Sequence, residues 1–193
     1  MSSFISRLKR VVQRRNDKVF VTWYDGKGNP TDEYTYIDIW TEAGAIAHML
    51  RVDWNLSKGD RVVLCYNFGI QFFAAFLGCL RAGITAVLVY PPNPSELAKS
   101  LSKMTKIVSV CDAKIALVDI AVNTIRLTDK ANIFSSTRDL WPVDLAYKLH
   151  PHKQSVNDSL KYDEISISAG DIAFLQYTSG STGDPKGVMV SFG

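Results

Sequence analysis

Cysteine and histidine, the side chains most used for metal and redox chemistry, are scarce here, at three residues each in a chain of 193. Cys65, Cys79 and Cys111 stand in apolar runs at wide, irregular spacing. That spacing excludes a C-x-x-C pair and a disulfide framework, and predicts buried, reduced thiols. His150-Pro151-His152 has no neighbouring cysteine, aspartate or third histidine to complete a metal site, so the pair reads as solvent-facing loop. His48 stands alone at the boundary of a helical pattern. Long apolar runs are missing too: the stretch from Phe72 to Leu80 is broken by Arg81, short of the ~20 residues that cross a bilayer. Nor does one sign of charge dominate, because 22 basic and 19 acidic residues leave only +3. That balance does not make the clustered basic stripe of a nucleic-acid binder. The expectation is a cytoplasmic chain without a membrane span and without a nucleic-acid partner.

What is present is a globular composition, 47% hydrophobic and 21% charged, enough to bury a sizeable core. The first sixteen residues carry Arg7, Lys9, Arg10, Arg14 and Arg15 and no acid, which admits a mitochondrial address as an alternative. Phe4, Ile5, Leu8, Val11 and Val12 recur at helical spacing, and an ordinary first helix is the reading preferred here. Val19 to Trp23 then reads as a strand, Asp25 to Pro30 as a turn, and Glu33 to Tyr36 as the returning half of a hairpin.

From Ile37 to Val52 apolar residues recur every three or four positions, the mark of an amphipathic helix. Arg61 to Tyr66 is almost continuously apolar, as in a strand enclosed on both faces of a parallel sheet. A helix over Gly69 to Ala82, stopped by Gly83, and a strand over Ile84 to Tyr90 complete one βαβ unit. Pro91, Pro92 and Pro94 end that strand. Ser95 is the expected cap of a helix reaching Cys111, with Leu97, Leu101, Met104, Ile107 and Val108 inward. Ala113 to Asp119 is a further strand, whereas Ala121 to Gly170 shows no clear pattern. The alternation predicts an α/β fold with a mostly parallel sheet and flanking helices. Phe68, Phe72, Phe73 and Phe76 fall on one helix of the βαβ unit and are expected to pack in the core, with an acyl-lining role as the alternative.

The most chemically loaded stretch runs from Tyr177 to Gly187, between the strand-like runs Ile172 to Tyr177 and Gly187 to Val190. Gly180, Gly183 and Gly187 let backbone N–H groups approach a ligand closely. Thr178, Ser179, Ser181 and Thr182 add hydroxyl donors, and Lys186 adds a compact positive charge behind the stiffening Pro185. The set suits an anion with several oxygens, such as a phosphate; a plain solvent-exposed turn is the alternative. A Walker loop is excluded, because five positions after Gly180 stands Pro185 rather than glycine, and Lys186 is followed by Gly187 rather than Ser or Thr.

From Thr178 to Gly187 the chain resembles the adenylate-forming enzymes, matching T-S-G-[ST]-T-G-x-P-K-G at every defined position. Phe174-Leu175-Gln176-Tyr177 and Val89-Tyr90-Pro91-Pro92 look most like the fatty acyl-AMP ligase branch and the adenylating domains of disco-interacting proteins. The resemblance implies that Thr178, Ser179, Gly180, Ser181, Thr182, Gly183, Lys186 and Gly187 hold the β- and γ-phosphates of ATP, with Mg²⁺, while a carboxylate attacks the α-phosphorus. It implies a fatty acid as substrate and an acyl carrier protein or coenzyme A as acceptor. It also implies that the adenine, ribose and metal-binding residues and the catalytic lysine lie downstream. Residues 1–193 are therefore expected to be the N-terminal portion of an adenylation domain, inactive and prone to aggregate when alone.

Where the family usually continues Val-Ser-His, this chain has Val190-Ser191-Phe192. That departure keeps two further readings open: a non-catalytic module that binds nucleotide or acyl chains, and a truncated gene product.

Overall fold

The computed structural model describes residues 3–132, 135–150, 165–179 and 185–193. The first helix, α1 (Phe4–Arg15), is started by the Ser3 hydroxyl, which accepts the Ser6 N–H at 3.2 Å, and it buries Ile5 and Val12. β1 (Val19–Tyr24) and β2 (Pro30–Thr35) then form an antiparallel hairpin. Its turn is folded by the Asp25 carboxylate, which accepts the N–H groups of Lys27 and Asn29 at 2.8 and 2.9 Å. α2 (Tyr36–His48) opens with a reciprocal cap between Thr35 and Asp38 and closes in a wide π-type turn over Met49–Asp53. Tyr36, expected to end the hairpin, is already helical, because that capping box begins the helix one residue earlier.

The remaining strands form one sheet: β3 (Arg61–Cys65), β4 (Thr85–Val89), β5 (Ile115–Val118), β6 (Ala146–Leu149), β7 (Ile172–Ser179) and β8 (Pro185–Ser191). Their order is β6-β5-β3-β4-β7-β8, all parallel except β8. α3 (Ile70–Ala82), α4 (Leu97–Cys111) and α5 (Ile120–Ala131) join them. The expected α/β architecture is therefore present. Among the described residues of 121–170, the sequence pattern did not reveal α5, β6 and a short 3-10 turn over Arg138–Leu140.

β3 explains the layering. Val62 and Leu64 enter one core with α2 and α3, while Val63 and Cys65 enter a second with α4, Val122 of α5 and Trp141. All four are at 1% exposure or less, so the strand needs apolar side chains on both faces. α3 stops at Gly83, which sits in the left-handed region at φ +64°. α2 and α3 approach closely because Gly78 has no side chain: a Cβ there would lie 2.6 Å from Ile46 Cγ2. Arg81, also on α3, is buried, with its guanidinium 3.9 Å over the Trp40 ring and Nη1 donating to the Trp40 carbonyl at 2.6 Å.

The expected cap at Ser95 is corrected. The Asn93 side chain accepts the Ser95 N–H at 3.0 Å and opens a 3-10 turn over Pro94–Glu96, after which α4 begins at Leu97. Pro94, with its fixed φ, suits the first turn and moves the cap back to Asn93. Cys65, Cys79 and Cys111 are free and buried, as the sequence suggests. Burial pushes the Cys65 and Cys79 thiols up to about 12, which leaves them unreactive.

Candidate functional site

The polar stretch sits at the end of a strand pair. β7 runs parallel to β4, with Ala86 opposite Phe174 and Leu88 opposite Gln176, and β8 returns antiparallel along it. At the mouth of this hairpin Tyr177 pairs with Gly187, Thr178 with Lys186 and Ser179 with Pro185. The strand-to-strand expectation is thus met, while Gly180, Ser181, Thr182 and Gly183 lie outside the described residues. Lys186 is exposed, at the last turn of the ladder before the loop. Pro185 is tolerated because β8 is the sheet's edge and no ladder bond is required of its nitrogen. Gly187 has a local reason of its own: a Cβ there would stand 3.0 Å from two carbons of the Tyr177 ring, which lies across it.

A cleft of about 550 Å³ opens beside the hairpin, bounded by Tyr90, Asn93, Lys103, Lys106, Tyr177 and Pro185. It brings together two stretches 87 residues apart in the chain, the Val89-Tyr90-Pro91 segment after β4 and Tyr177 before the loop. Its volume falls in the range of small-molecule sites. Burial, helped by nearby Cys111, raises the Tyr177 phenol above its ordinary value, so it stays a neutral donor. The α4 side contributes lysines and serines and the floor contributes Met104 and Ile107.

At the carboxyl ends of β3, β5 and β6 the structure assembles a buried polar network. Asp119 is the hub of one part: it accepts the Asn67 N–H at 2.7 Å, the Asn67 side-chain amide at 2.9 Å and the Val122 N–H that starts α5 at 2.7 Å. His150 is the hub of the other, 3.1 Å from Glu42 Oε1 through Nε2 and 3.0 Å from the Tyr66 hydroxyl through Nδ1. An Nε2–H donating to the carboxylate and the Tyr66 hydroxyl donating to Nδ1 satisfy both ring nitrogens. Burial pushes the Tyr66 phenol well above its usual value.

The reading of His150 as a surface loop residue is therefore corrected: it is 5% exposed, because Glu42 of α2 and Tyr66 after β3 meet its ring inside the fold. His152 lies outside the described residues. In doubly wound sheets this carboxyl edge, where the chain reverses direction between β3 and β5, is the usual ligand crevice. Here Asn67 and Asp119 bridge it, and the open cleft lies on the other side of β4.

The AMP-binding enzyme family profile matches residues 8–193. The chain belongs to this family. Among characterised relatives, it is 32% identical over 159 residues to the medium-chain-fatty-acid–[acyl-carrier-protein] ligase JamA of Moorena producens, covering 81% of this chain and 25% of that protein. It is 31% identical over 155 residues to human disco-interacting protein 2 homolog A, covering 77% of this chain and 10% of that one. The fold matches a crystal structure of fatty acyl-adenylate ligase from L. pneumophila in complex with acyl adenylate and pyrophosphate. The TM-score is 0.81 at 31% identity, over 98% of this chain and 30% of that chain. The present chain thus spans about a quarter of the Moorena ligase. The expected membership in the adenylate-forming family, near fatty acyl-AMP ligases and disco-interacting proteins, stands.

At the hairpin mouth Lys186 is exposed, and Gly187 clears space for the Tyr177 ring beside it. Among the described residues no group of three or more His, Cys, Asp or Glu side chains is assembled to hold a metal ion.

Phe192, at the position where the family usually has histidine, is 8% exposed and packed in the core shared by α2 and α3, and its N–H donates to the Asp171 carbonyl at 3.0 Å. The expected packing of the phenylalanines also needs correction at one position. Phe72, Phe73 and Phe76 lie against the core, but Phe68 is 72% exposed and touches Trp23 of β1, with ring centroids 5.5 Å apart. Phe68 precedes α3, in the loop leaving the sheet, so no layer covers it.

Sequence reasoning missed Glu42, Tyr66, Asn67, Asp119 and His150 as a group. A signal existed for Asp119, an acidic residue just after a strand and three before Val122, the pattern of a helix cap. None existed for His150, whose partners lie 84 and 108 residues away.

Proposed function

We propose that this chain provides the polyphosphate-gripping half of an ATP-dependent carboxylate-activating site, with a fatty acid as the acid. A carboxylate oxygen forms a bond to the α-phosphorus, the bond between the α-phosphorus and its bridging oxygen to the β-phosphate breaks, and the products are an acyl-adenylate and pyrophosphate. ATP supplies the activated phosphorus and the leaving group. Ser179, Ser181, Thr182 and the backbone at Gly180 and Gly183 donate to the β- and γ-phosphate oxygens. Lys186 offsets the charge that builds on the departing pyrophosphate. Tyr177 borders the adjoining cleft as a neutral hydroxyl.

The observation that carries this reading is the hairpin register. The signature ends on β8 with Lys186 exposed and paired to Thr178, at the mouth where the loop begins. The relatives' names supply the substrate class. The acceptor that receives the acyl group is an acyl carrier protein, as the name of the Moorena ligase states for that protein, with coenzyme A as the competing acceptor.

The test is fatty-acid-dependent exchange of labelled pyrophosphate into ATP by the full-length protein. Exchange should require the fatty acid and fall on the order of 10²-fold in Lys186→Ala. Exchange by the variant at the wild-type rate would refute the role given to Lys186.

A second reading is favoured by Phe192. A buried benzene ring replaces a proton-bearing imidazole, so a module that binds nucleotide or acyl chains without catalysis fits the same hairpin. That reading predicts saturable ATP binding, weakened by Lys186→Ala, with no exchange.

A further inference from the structure

α1 carries five of the chain's 22 basic residues, Arg7, Lys9, Arg10, Arg14 and Arg15, in twelve positions without one acidic side chain. The fold decides which way they point. Ile5 and Val12 are buried at 3% exposure each, so the inner face of the helix is settled. Arg7, Arg10 and Arg14 lie at i, i+3 and i+7 on the opposite face, and all three are exposed. Arg10 is further steadied by its Nε donating to the Ser6 carbonyl at 3.3 Å. The stripe covers about 10 Å of helix length at 1.5 Å per residue.

The second observation is apolar. Phe4 and Val11 are 48% and 37% exposed, although this helix already has an inner face on which apolar residues can be buried. Three and four residues separate them from Arg7 and Arg14, so both adjoin the arginine stripe rather than lying behind it. An exposed position suits an arginine, whereas the apolar Phe4 and Val11 gain nothing from water. A nucleic-acid backbone would likewise engage only the guanidinium groups. An anionic bilayer engages both kinds of side chain: guanidinium groups pair with lipid phosphates in a fork geometry, and flanking apolar side chains enter the boundary between headgroup and acyl chain.

We propose that the outer face of α1, Arg7–Arg10–Arg14 flanked by Phe4 and Val11, docks the protein on an anionic lipid surface. The contact is peripheral, because no helix among the described residues is long and apolar enough to cross a membrane. It is reversible, since two small apolar contacts do not anchor a protein. It weakens with salt, as contacts between screened charges do. The inference stands whether or not the hairpin binds ATP, and it concerns a different face of the chain.

Vesicle flotation tests it with the full chain, because vesicle-bound protein rises while self-associated protein sediments. Vesicles of phosphatidylcholine with roughly a third phosphatidylglycerol should float the wild type, and pure phosphatidylcholine should not. Binding should be lost in about 1 M salt, where the Debye length is about 3 Å. At roughly fivefold per cation, Arg7→Glu with Arg10→Glu and Arg14→Glu should cut binding more than a hundredfold. Replacing the same three arginines by glutamine gives a milder loss and guards against misfolding, which circular dichroism reports. Phe4→Ser with Val11→Ser should weaken binding several-fold and leave its salt dependence unchanged. Flotation of both arginine variants equal to wild type would overturn the proposal. So would failure of the wild type to float on anionic vesicles, or tighter binding to duplex DNA than to those vesicles.

Discussion

β3 and β8 belong to one sheet and are separated by only two strands, yet they are built on different terms. β3 keeps Val62 through Cys65 at 1% exposure or less, whereas β8 leaves Val188 at 52% and Met189 at 71%. In β3 the side chains from Val62 to Cys65 are each committed to one of two cores and offer nothing to a ligand. In β8 the lysine Lys186 is exposed, at the mouth where the β7–β8 ladder opens. A strand enclosed on both faces contributes stability and a strand at the edge can contribute chemistry, because only the edge offers backbone and side-chain groups that the fold does not already use.

Substitutions at the two places should therefore separate stability from chemistry. The largest effect is expected at the centre. Leu64→Ala leaves a cavity in the core shared with α2 and α3 and should lower unfolding free energy by about 2–5 kcal/mol, read from the urea midpoint. A loss below about 1 kcal/mol would show that the core is looser than the burial of β3 implies. Lys186→Ala, the edge counterpart, should move the same midpoint by less than about 0.5 kcal/mol, whatever it does to exchange.

Gly187→Val is the intermediate case, because it burdens the edge with a packing problem. Its Cβ would press the Tyr177 ring at 3.0 Å and should cost about 1–2 kcal/mol while raising the KM for ATP. Pairing it with Tyr177→Ala should recover the stability but not the KM, and full additivity of the two changes would break the assigned contact.

A pH-dependent effect belongs to a latch at the end of α5. Asp129 is buried enough to raise its pKa, but hydrogen bonds from Ser135, Thr137 and Trp141 outweigh that and hold the carboxyl below its usual value. A carboxyl lowered in the folded state stabilises the fold above the unfolded pKa of about 4 and loses that contribution as pH falls through the folded value. The stability gap between wild type and Asp129→Asn should therefore be open at neutral pH and close in acid, as followed by urea melts at both. A gap of constant size across that range would remove Asp129 from the acid limb.

Much of this arrangement was legible beforehand. Continuous apolar runs at 61–66 and 84–90 are a pattern only an enclosed strand tolerates, and both became central strands. The motif from Thr178 to Gly187 was readable because its glycines, hydroxyls and lysine stand close together in sequence and match the family signature position by position. α5 was not legible: of its residues only Val122 is fully buried, so its periodicity is faint. β6 was hidden for the related reason that it is a short edge strand with an exposed face. The cap at Asn93 was misplaced to Ser95 because both residue types cap helices and only the Pro94 turn decides between them.

From local sequence alone follow the α/β alternation, the buried free thiols and the family signature from Thr178 to Gly187, since each depends on neighbours within a few residues of one another. Tertiary structure decided that His150 is buried between Glu42 and Tyr66, that the crevice at β3 and β5 is bridged, and that the open cleft joins Tyr90 to Tyr177. It also decided that the arginines of α1 face outward. Those outcomes depend on residues brought together across tens of positions, and no local propensity records which distant side chain will arrive.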